Sequence, residues 1–275
     1  MNCLRCPLCH ELLVENIQGL ACANSHQFDR AREGYFHLLP VQYKGSREPG
    51  DGKLQLQARR YFLRAEFFAP LKYKLQSLLP KNVSQVLDIG CGEGYFTAAF
   101  ADALPNADIY GLDISKAGIK LAAKSVNKET INKKLFYTVA SCVDLPFVDA
   151  SMDVITRIYA PSKDEELQRV LKPNGLLIIV TPGEHHLLAL RQRIYAEIRP
   201  HPAPEAPKGF TVVACYEVQS ELHLSAGEYA EALLTMTPFA WRMTSPLREQ
   251  IIAEGLVDRL HFNVSVYQRL TQSNV

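Results

Sequence analysis

The 275-residue chain contains no run of about 18 or more apolar residues, so no transmembrane helix and no membrane partner are expected. Its first ten residues, MNCLRCPLCH, lack the apolar core of a secretory signal, and a cytoplasmic location is the resulting expectation. A charge excess is missing too. Thirty Lys and Arg face 29 Asp and Glu, a net charge of +1, so bulk basicity cannot draw the chain to nucleic acid. Any such binding has to rest on a local patch. There is no internal repeat. What remains is a chain of ordinary hydrophobic content, 47%, long enough for one large α/β domain and a small appendage.

Cysteine is present in an uneven way. Of seven cysteines, four fall in the first 22 residues. In a cytosolic chain that clustering points to metal rather than to disulfides. Cys6 and Cys9 form a C-x2-C knuckle, Cys22 follows twelve residues later, and His26 after three more. The spacing C-x2-C-x12-C-x3-H suits a tetrahedral zinc site of three thiolates and one imidazole. Four protein ligands close the coordination sphere, which makes the zinc structural rather than catalytic. Between the ligand pairs, Leu12 to Val14 and Ile17 to Leu20 suit a short β-hairpin. A unit this small cannot form a sufficient core unaided, so the metal has a folding role. Cys3 adds a third thiol at the same spacing, able to replace Cys6 or to lie nearby; His10 is the poorer ligand.

The stretch that organises the rest is Val86 to Thr97, VLDIGCGEGYFT. A buried strand (Val86, Leu87, Ile89) runs into a turn where Gly90, Gly92 and Gly94 alternate, and a helix follows. Glycine admits positive φ and lets a ligand approach bare backbone. The helix start directs free N–H groups to the same place. The next strand ends in an acid, Asp113, placed to accept hydrogen bonds from a ribose. The turn reads G-x-G-x-G with Asp88 two residues before it, not the dinucleotide G-x-G-x-x-G. That form resembles motif I of the class I S-adenosylmethionine (SAM) methyltransferases. Asp88 would then help hold the cationic methionyl end of SAM through water or amide groups. On the turn alone, glycine for packing is the other reading.

From 85 to 183 the pattern is β-α-β-α-β-α-β: strands at 86–89, 109–114, 135–139, 153–158 and 176–180, with helices near 95–103, 115–124 and 163–170. Such alternation implies a parallel sheet with ligands at its carboxyl edge. Two later strands, 217–224 and 259–269, would form its antiparallel end. The expected fold is therefore α/β: a Rossmann-like class I methyltransferase domain with a mostly parallel seven-stranded sheet and a small N-terminal zinc-ribbon-like domain. The expected units are 1–35, a zinc-binding RNA-recognition module; 36–60, a linker and basic segment; and 61–275, the methyltransferase domain. Residues 54–79 carry an apolar face spaced for one or two helices that cover the cofactor pocket. The basic residues of 27–60, with Tyr35, Phe36 and Tyr43 interleaved, suit either RNA contact or a solvated linker. The proline-rich loop 200–207 is placed to lie over a substrate.

Three strand-end loops carry candidate chemistry. Ser141 stands where many SAM enzymes carry an aspartate for the adenine amino group. Tyr159, in Ile158-Tyr159-Ala160-Pro161, stands where amino-methyltransferases carry Asn-Pro-Pro-Tyr, a motif absent here. It is either a base-stacking residue or a core tyrosine. Glu184, His185 and His186 follow the fifth strand, within reach of a SAM carboxylate or a substrate.

Taken together, the zinc spacing, ARRYFL, VLDIGCGEGYF, IYAPSK, TPGEHHL and MTPFAW resemble the bacterial 23S ribosomal RNA guanine-N(1)-methyltransferases over nearly the whole chain. The resemblance implies zinc ligands Cys6, Cys9, Cys22 and His26. It implies SAM contacts at Gly92, Glu93 and His186 and in the Phe67-Phe68 stretch, where Phe68 keeps the ring of the relatives' tyrosine without its hydroxyl. With the motif residues, the cofactor set is Phe68, Asp88, Gly90, Gly92, Glu93, Asp113, Ser141 and His186. The implied activity is SAM-dependent methylation of nitrogen 1 of a guanine in a 23S rRNA hairpin, giving 1-methylguanosine. The base must be unpaired or flipped out to expose that atom. The catalytic proton acceptor stays open among His186, Tyr159 and Glu184. A homodimer would be compatible with the family's size and extended RNA site. Two other functions suit parts of the chain: a SAM methyltransferase acting on a small molecule, and a non-enzymatic zinc-ribbon RNA-binding protein.

Overall fold

A computed structural model describes residues 3–43, 49–126, 134–198 and 205–270. The N-terminal module contains β1 (Val14–Glu15), β2 (Gly19–Ala21) and β3 (Gln27–Asp29). They form an antiparallel three-stranded sheet in the order β1-β2-β3, so the expected hairpin gains a third strand. Gly19 sits where a Cβ would lie 2.2 Å from the Phe28 carbonyl oxygen, which is how the second and third strands come so close.

The chain then gives β4 (Phe36–His37), a short 3-10 turn at Val41–Tyr43, α1 (Lys53–Arg64) and α2 (Ala69–Leu78). The apolar spacing at 54–79 resolves into two helices because Glu66 takes a left-handed φ of 62° and Pro70 opens the second helix. The alternation that follows is β5 (Gln85–Ile89), α3 (Tyr95–Ala103), β6 (Asp108–Asp113), α4 (Lys116–Ser125), β7 (Leu135–Val139), β8 (Met152–Ile158), α5 (Asp164–Val170) and β9 (Leu171–Pro182). Last come α6 (Leu188–Ile194), β10 (Phe210–Leu224), α7 (Glu228–Met236), α8 (Ser245–Glu254) and β11 (Leu256–Arg269).

The main sheet has the order β10-β11-β9-β8-β5-β6-β7-β4. Six strands from β9 to β4 are mutually parallel, and β11 and β10 run antiparallel at the other end. The seven strands expected are all present. The eighth is β4, which pairs Phe36 with Thr138 and His37 with Val139. Residues 36–60 are thus more than a linker: they supply an edge strand and the start of α1. β10 and β9 also run longer than their apolar patterns indicated: β10 because its partly exposed polar residues are paired throughout with β11, β9 because Leu171 pairs with Met152 of β8 at one end and Thr181 and Pro182 with β11 at the other. The loop expected at 200–207 is described only from residue 205 onward, and residues 44–48 of the basic segment also lie outside the described residues.

β5 is buried on both faces, as a central parallel strand must be. One face packs against α1, α2, α3 and α7 through Phe62, Leu71, Phe100 and Leu233, with Phe262 of β11 in the same core. The other is continuous with the N-terminal module: Leu4, Leu13 and Leu20 share a core with Leu87, Ile89, Tyr110, Phe147 and Ile155. The small module therefore does not stand on metal alone; it borrows the sheet's apolar face. Arg5 reinforces the junction. Its backbone N–H donates to the Pro146 carbonyl at 3.0 Å, and its guanidinium lies 2.8 Å from Asp144 and 3.6 Å from Glu166. Cys3 belongs to this shared core, beside Tyr110, and takes no part in the metal cluster.

Candidate functional site

In the module, the ligand atoms of Cys6, Cys9, Cys22 and His26 all lie within 4.8 Å of one another. Tight turns hold them: the His10 N–H bonds back to the Cys6 carbonyl at 2.9 Å and the Ser25 N–H to the Cys22 carbonyl at 3.0 Å. His10 and Ser25 take left-handed φ values of 63° and 61° to close those turns. The Cys9 and Cys22 sulfurs are 3.6 Å apart, and His26 Nδ1 is 3.5 Å from Cys6 Sγ and 3.4 Å from Cys22 Sγ. Ordinary Zn–S and Zn–N bonds in a tetrahedron require edges of about 3.8 Å and about 3.6 Å. The donor set and its dimensions therefore fit one zinc ion with no coordination position left over.

At the carboxyl edge of the sheet, the Gly90-to-Gly94 turn leaves β5. All three glycines have positive φ, 71°, 56° and 86°. A Cβ on Gly90 would lie 2.3 Å from Ala160 Cβ, so the turn presses directly on the loop after β8. A Cβ on Gly92 would meet only the Arg59 guanidinium, at 3.8 Å, which leaves its backbone bare toward the cleft. The Gly92 N–H donates to Asp113 Oδ2 at 2.8 Å, and the Ser115 N–H donates to Asp113 Oδ1 at 2.7 Å. Burial raises the Asp113 pKa; those two N–H groups oppose the rise. Asp113 thus ties the glycine turn to the start of α4 and presents its carboxylate at the strand end.

Asp88 is fully inside. Its Oδ2 accepts from the Thr97 hydroxyl at 2.6 Å and its Oδ1 from the Thr156 hydroxyl at 2.8 Å. Burial pushes its carboxyl up to about 6. It acts on the cleft by fixing the ends of β5, β8 and α3 rather than by facing it. Thr97 closes the motif read in the sequence; Thr156 arrives from β8, which only the sheet pairing places beside β5.

Glu93 is buried, and burial raises its pKa while the guanidiniums of Arg60, Arg64 and Arg59 pull the other way. Those arginines all lie on α1, which covers the cleft. Arg59 also holds Asp51 at 2.6 Å, and the Asp51 carbonyl lies 3.4 Å from the Ser115 hydroxyl. The segment read as a basic linker is therefore partly a roof for the glycine turn. Several of its cations are engaged inside the protein: Arg59 with Asp51, Arg60 with the Leu121 carbonyl, and Arg30 with Glu15.

Across the cleft lies an aromatic group. Phe68 meets Phe262 with ring centres 4.9 Å apart; Phe262 meets His186 at 5.0 Å and Tyr159 at 6.4 Å; Tyr159 and His186 are 6.1 Å apart. The structure brings these together from α2, β11 and two strand-end loops. Tyr159 and Leu187, beside His186, both hold left-handed φ values, 54° and 49°, a strain that marks strand-end loops with a task. The backbone N–H of His261 donates to His186 Nδ1 at 3.2 Å. The neutral ring therefore carries its proton on Nε2 and acts there as a donor, not as a proton acceptor. Glu184 is exposed, and the Ser141 hydroxyl accepts from the Val143 N–H at 3.2 Å. Phe262 and His261 were not singled out in the sequence, and Arg59 only as one of the basic residues of 27–60. Phe262 carried only a weak signal, the alternation of RLHFNVSV. A separate open cleft of about 410 Å³, lined by His185, Gln192, Glu221, His223 and Arg259, lies alongside.

A bare glycine turn, a strand-end acid and an aromatic wall at the carboxyl edge of this sheet define a SAM-dependent methyltransferase, here carrying a zinc ribbon. Residues 4–47 match the family model described as RlmA, N-terminal, a zinc ribbon, and residues 86–175 match that of a methyltransferase domain. The chain is 34% identical over 274 residues to the Bacillus subtilis (strain 168) protein named "Putative 23S rRNA (guanine-N(1)-)-methyltransferase YxjB", covering 92% of this chain and 94% of that one. It is 28% identical to the 23S rRNA (guanine(748)-N(1))-methyltransferase of Streptomyces fradiae, covering 91% and 90%. A chain of a solved Haloferax volcanii complex that includes the Trm112 methyltransferase activator shares the fold, with a TM-score of 0.52, 17% identity and coverage of 81% and 98%. The chain belongs to the 23S rRNA (guanine-N(1)-)-methyltransferase family.

Proposed function

We propose that this protein transfers a methyl group from SAM to nitrogen 1 of one guanine in a 23S rRNA hairpin. The observation that carries the reading is the docking of the zinc module against the loop that follows β7. Leu4 bridges Phe147, the Val148 N–H donates to the Cys3 carbonyl at 2.8 Å, and Arg5 anchors on Asp144 and Glu166. A small-molecule enzyme has no need of such an appendage; a hairpin that must be gripped while one base enters a cleft does. The relatives' names support the substrate, and identity spans both modules.

In this reading residues 1–35 grip RNA, 36–60 join the modules and roof the cleft, and 61–275 carry the chemistry. Gly90, Gly92, Glu93, Asp113 and Ser141 line the cofactor, Asp113 accepting from its ribose, and Asp88 keeps the turn in place. SAM supplies a methyl already activated by its sulfonium. Phe68, backed by the buried Phe262, offers a π-face to a sulfonium, and Tyr159 to the guanine. The protein's task is alignment. His186, held as the Nε2–H tautomer, donates to an acceptor such as a carboxylate or the guanine O6. The guanine N1 proton goes to Glu184 or to water, and the product base is 1-methylguanine. We place the protein in the cytoplasm, where ribosomes are assembled; no described helix is long and apolar enough to cross a membrane. A homodimer is compatible with the proposed RNA site.

The test is mass mapping of 23S rRNA from a strain lacking the gene, before and after incubation with purified protein and SAM. A 1-methylguanosine absent in the deletion strain and restored at one hairpin position is the expected result. Unchanged rRNA in both samples refutes the substrate; methyl transfer to a metabolite alone would establish the small-molecule reading.

A further inference from the structure

The motif MTPFAW, at 236–241, is not used by anything in the cofactor cleft. Its three large side chains behave differently. Met236 is buried, Phe239 packs against the core face that contains Phe68 and Phe262, and Trp241 is 85% exposed. It is the only tryptophan in the chain. Pro238 opens a 3-10 turn over Pro238–Trp241, and the Arg242 N–H closes it on the Phe239 carbonyl at 3.0 Å. Phe239 on one side and Met243 on the other hold the turn to the core, so Trp241 is presented outward by an anchored segment.

The turn is joined through Tyr195 to the helix that follows the His186 loop. Phe239 meets Tyr195 edge-on at 6.3 Å, and Tyr195 ends the helix that begins directly after the His186 loop. Tyr195 is itself 36% exposed. Arg242 follows Trp241 and is exposed as well, and among the described residues its guanidinium has no acidic partner. Leaving the whole indole in water forgoes the stabilisation that its burial would bring. An indole face beside an unneutralised guanidinium is the arrangement that takes a nucleobase by stacking and a phosphate by charge.

We propose that Trp241 and Arg242 form a contact site for the substrate RNA outside the methyl-transfer cleft, Trp241 stacking on an unpaired base next to the target and Arg242 holding its phosphate. This rests on the RNA reading of the cleft. A second copy of the chain is the competing occupant of an exposed indole.

The sole tryptophan makes the test direct. Emission is followed while the full-length zinc-loaded protein is titrated with an unmethylated 23S rRNA transcript, and methylation kinetics are measured on Trp241→Ala, Trp241→Phe and Arg242→Ala. Expected are quenching that saturates with RNA, a rise in KM for RNA of about tenfold in Trp241→Ala, near-wild-type KM in Trp241→Phe, and kcat and SAM affinity unchanged. Arg242→Ala should weaken binding and lower its salt dependence. If the wild type methylates the transcript while emission and the Trp241→Ala kinetics stay unchanged, the contact is refuted and the rRNA function stands. If the transcript is neither bound nor methylated, both fall. A blue shift that grows with protein concentration in the absence of RNA assigns the indole to a dimer interface and overturns the proposal.

Discussion

Replacing Asp88 by Asn should make this protein more stable at alkaline pH and remove part of its pH dependence. The carboxyl is raised from 3.8 to about 6, chiefly because it is buried. A carboxyl whose pKa is higher folded than unfolded favours unfolding once it ionises. The cost is absent below about pH 4, grows as pH rises, and is complete above about pH 7, where it reaches about 3 kcal/mol. Between pH 5 and pH 8 the increase is about 1 kcal/mol. Asparagine has the same shape and no charge. Its carbonyl oxygen can keep one threonine hydroxyl, and its NH2 needs the other threonine as acceptor. Thr156 can provide that, because its hydroxyl lies 3.5 Å from the Leu87 carbonyl and can turn its proton there. Urea unfolding of wild type and Asp88→Asn, zinc present, at pH 5 and pH 8 gives the difference directly. Titration of the zinc ligands is common to both proteins and cancels. The variant should gain on wild type by about 1 kcal/mol from pH 5 to pH 8. A gap that does not change with pH, or that narrows toward pH 8, refutes the argument and makes Asp88 a stabilising charge.

Three other perturbations have defined outcomes. Metal analysis should find one zinc per chain, and its removal by a chelator should abolish RNA methylation while SAM affinity changes by less than about tenfold, a split read by calorimetry; a chelated protein with full rRNA activity would disprove the zinc-dependent grip. Gly90→Ala imposes a left-handed φ costing about 1–2 kcal/mol and drives a Cβ toward Ala160, so SAM affinity should drop at least about tenfold; wild-type affinity in a titration would show that the turn is not the cofactor's cradle. Phe262→Ala empties a position that touches Phe68, His186 and Tyr159 and should cost about 3–5 kcal/mol in denaturant unfolding; a loss under about 1 kcal/mol would mean that the aromatic wall is loosely packed.

Local chemistry made much of this molecule readable. Cys6, Cys9, Cys22 and His26 lie close in the chain, so two tight turns suffice to bring them together, and their spacing pointed to a zinc site. The glycine turn, its strand and its helix are likewise consecutive, and Tyr95–Ala103 falls where the pattern put it. The parallel sheet followed from strands and helices in alternation, since a parallel pair needs a crossover. The sequence could not show the partners that lie far away along the chain. The hold on Asp88 could not be read because half of its threonine cage, Thr156, lies 68 residues on. Whether Cys3 replaced Cys6 or lay nearby stayed open because its place beside Tyr110 depends on the module's docking. Phe36 and His37 looked like linker because two residues carry no period; β7 made them a strand. His186 was within view, but its tautomer is set by the His261 backbone on an antiparallel strand. Spacing within about thirty residues determined the metal site, the cofactor turn and the class of fold. Which groups face the cleft and in what protonation state depended on long-range pairing, because burial and hydrogen bonding of those groups exist only once distant strands have met.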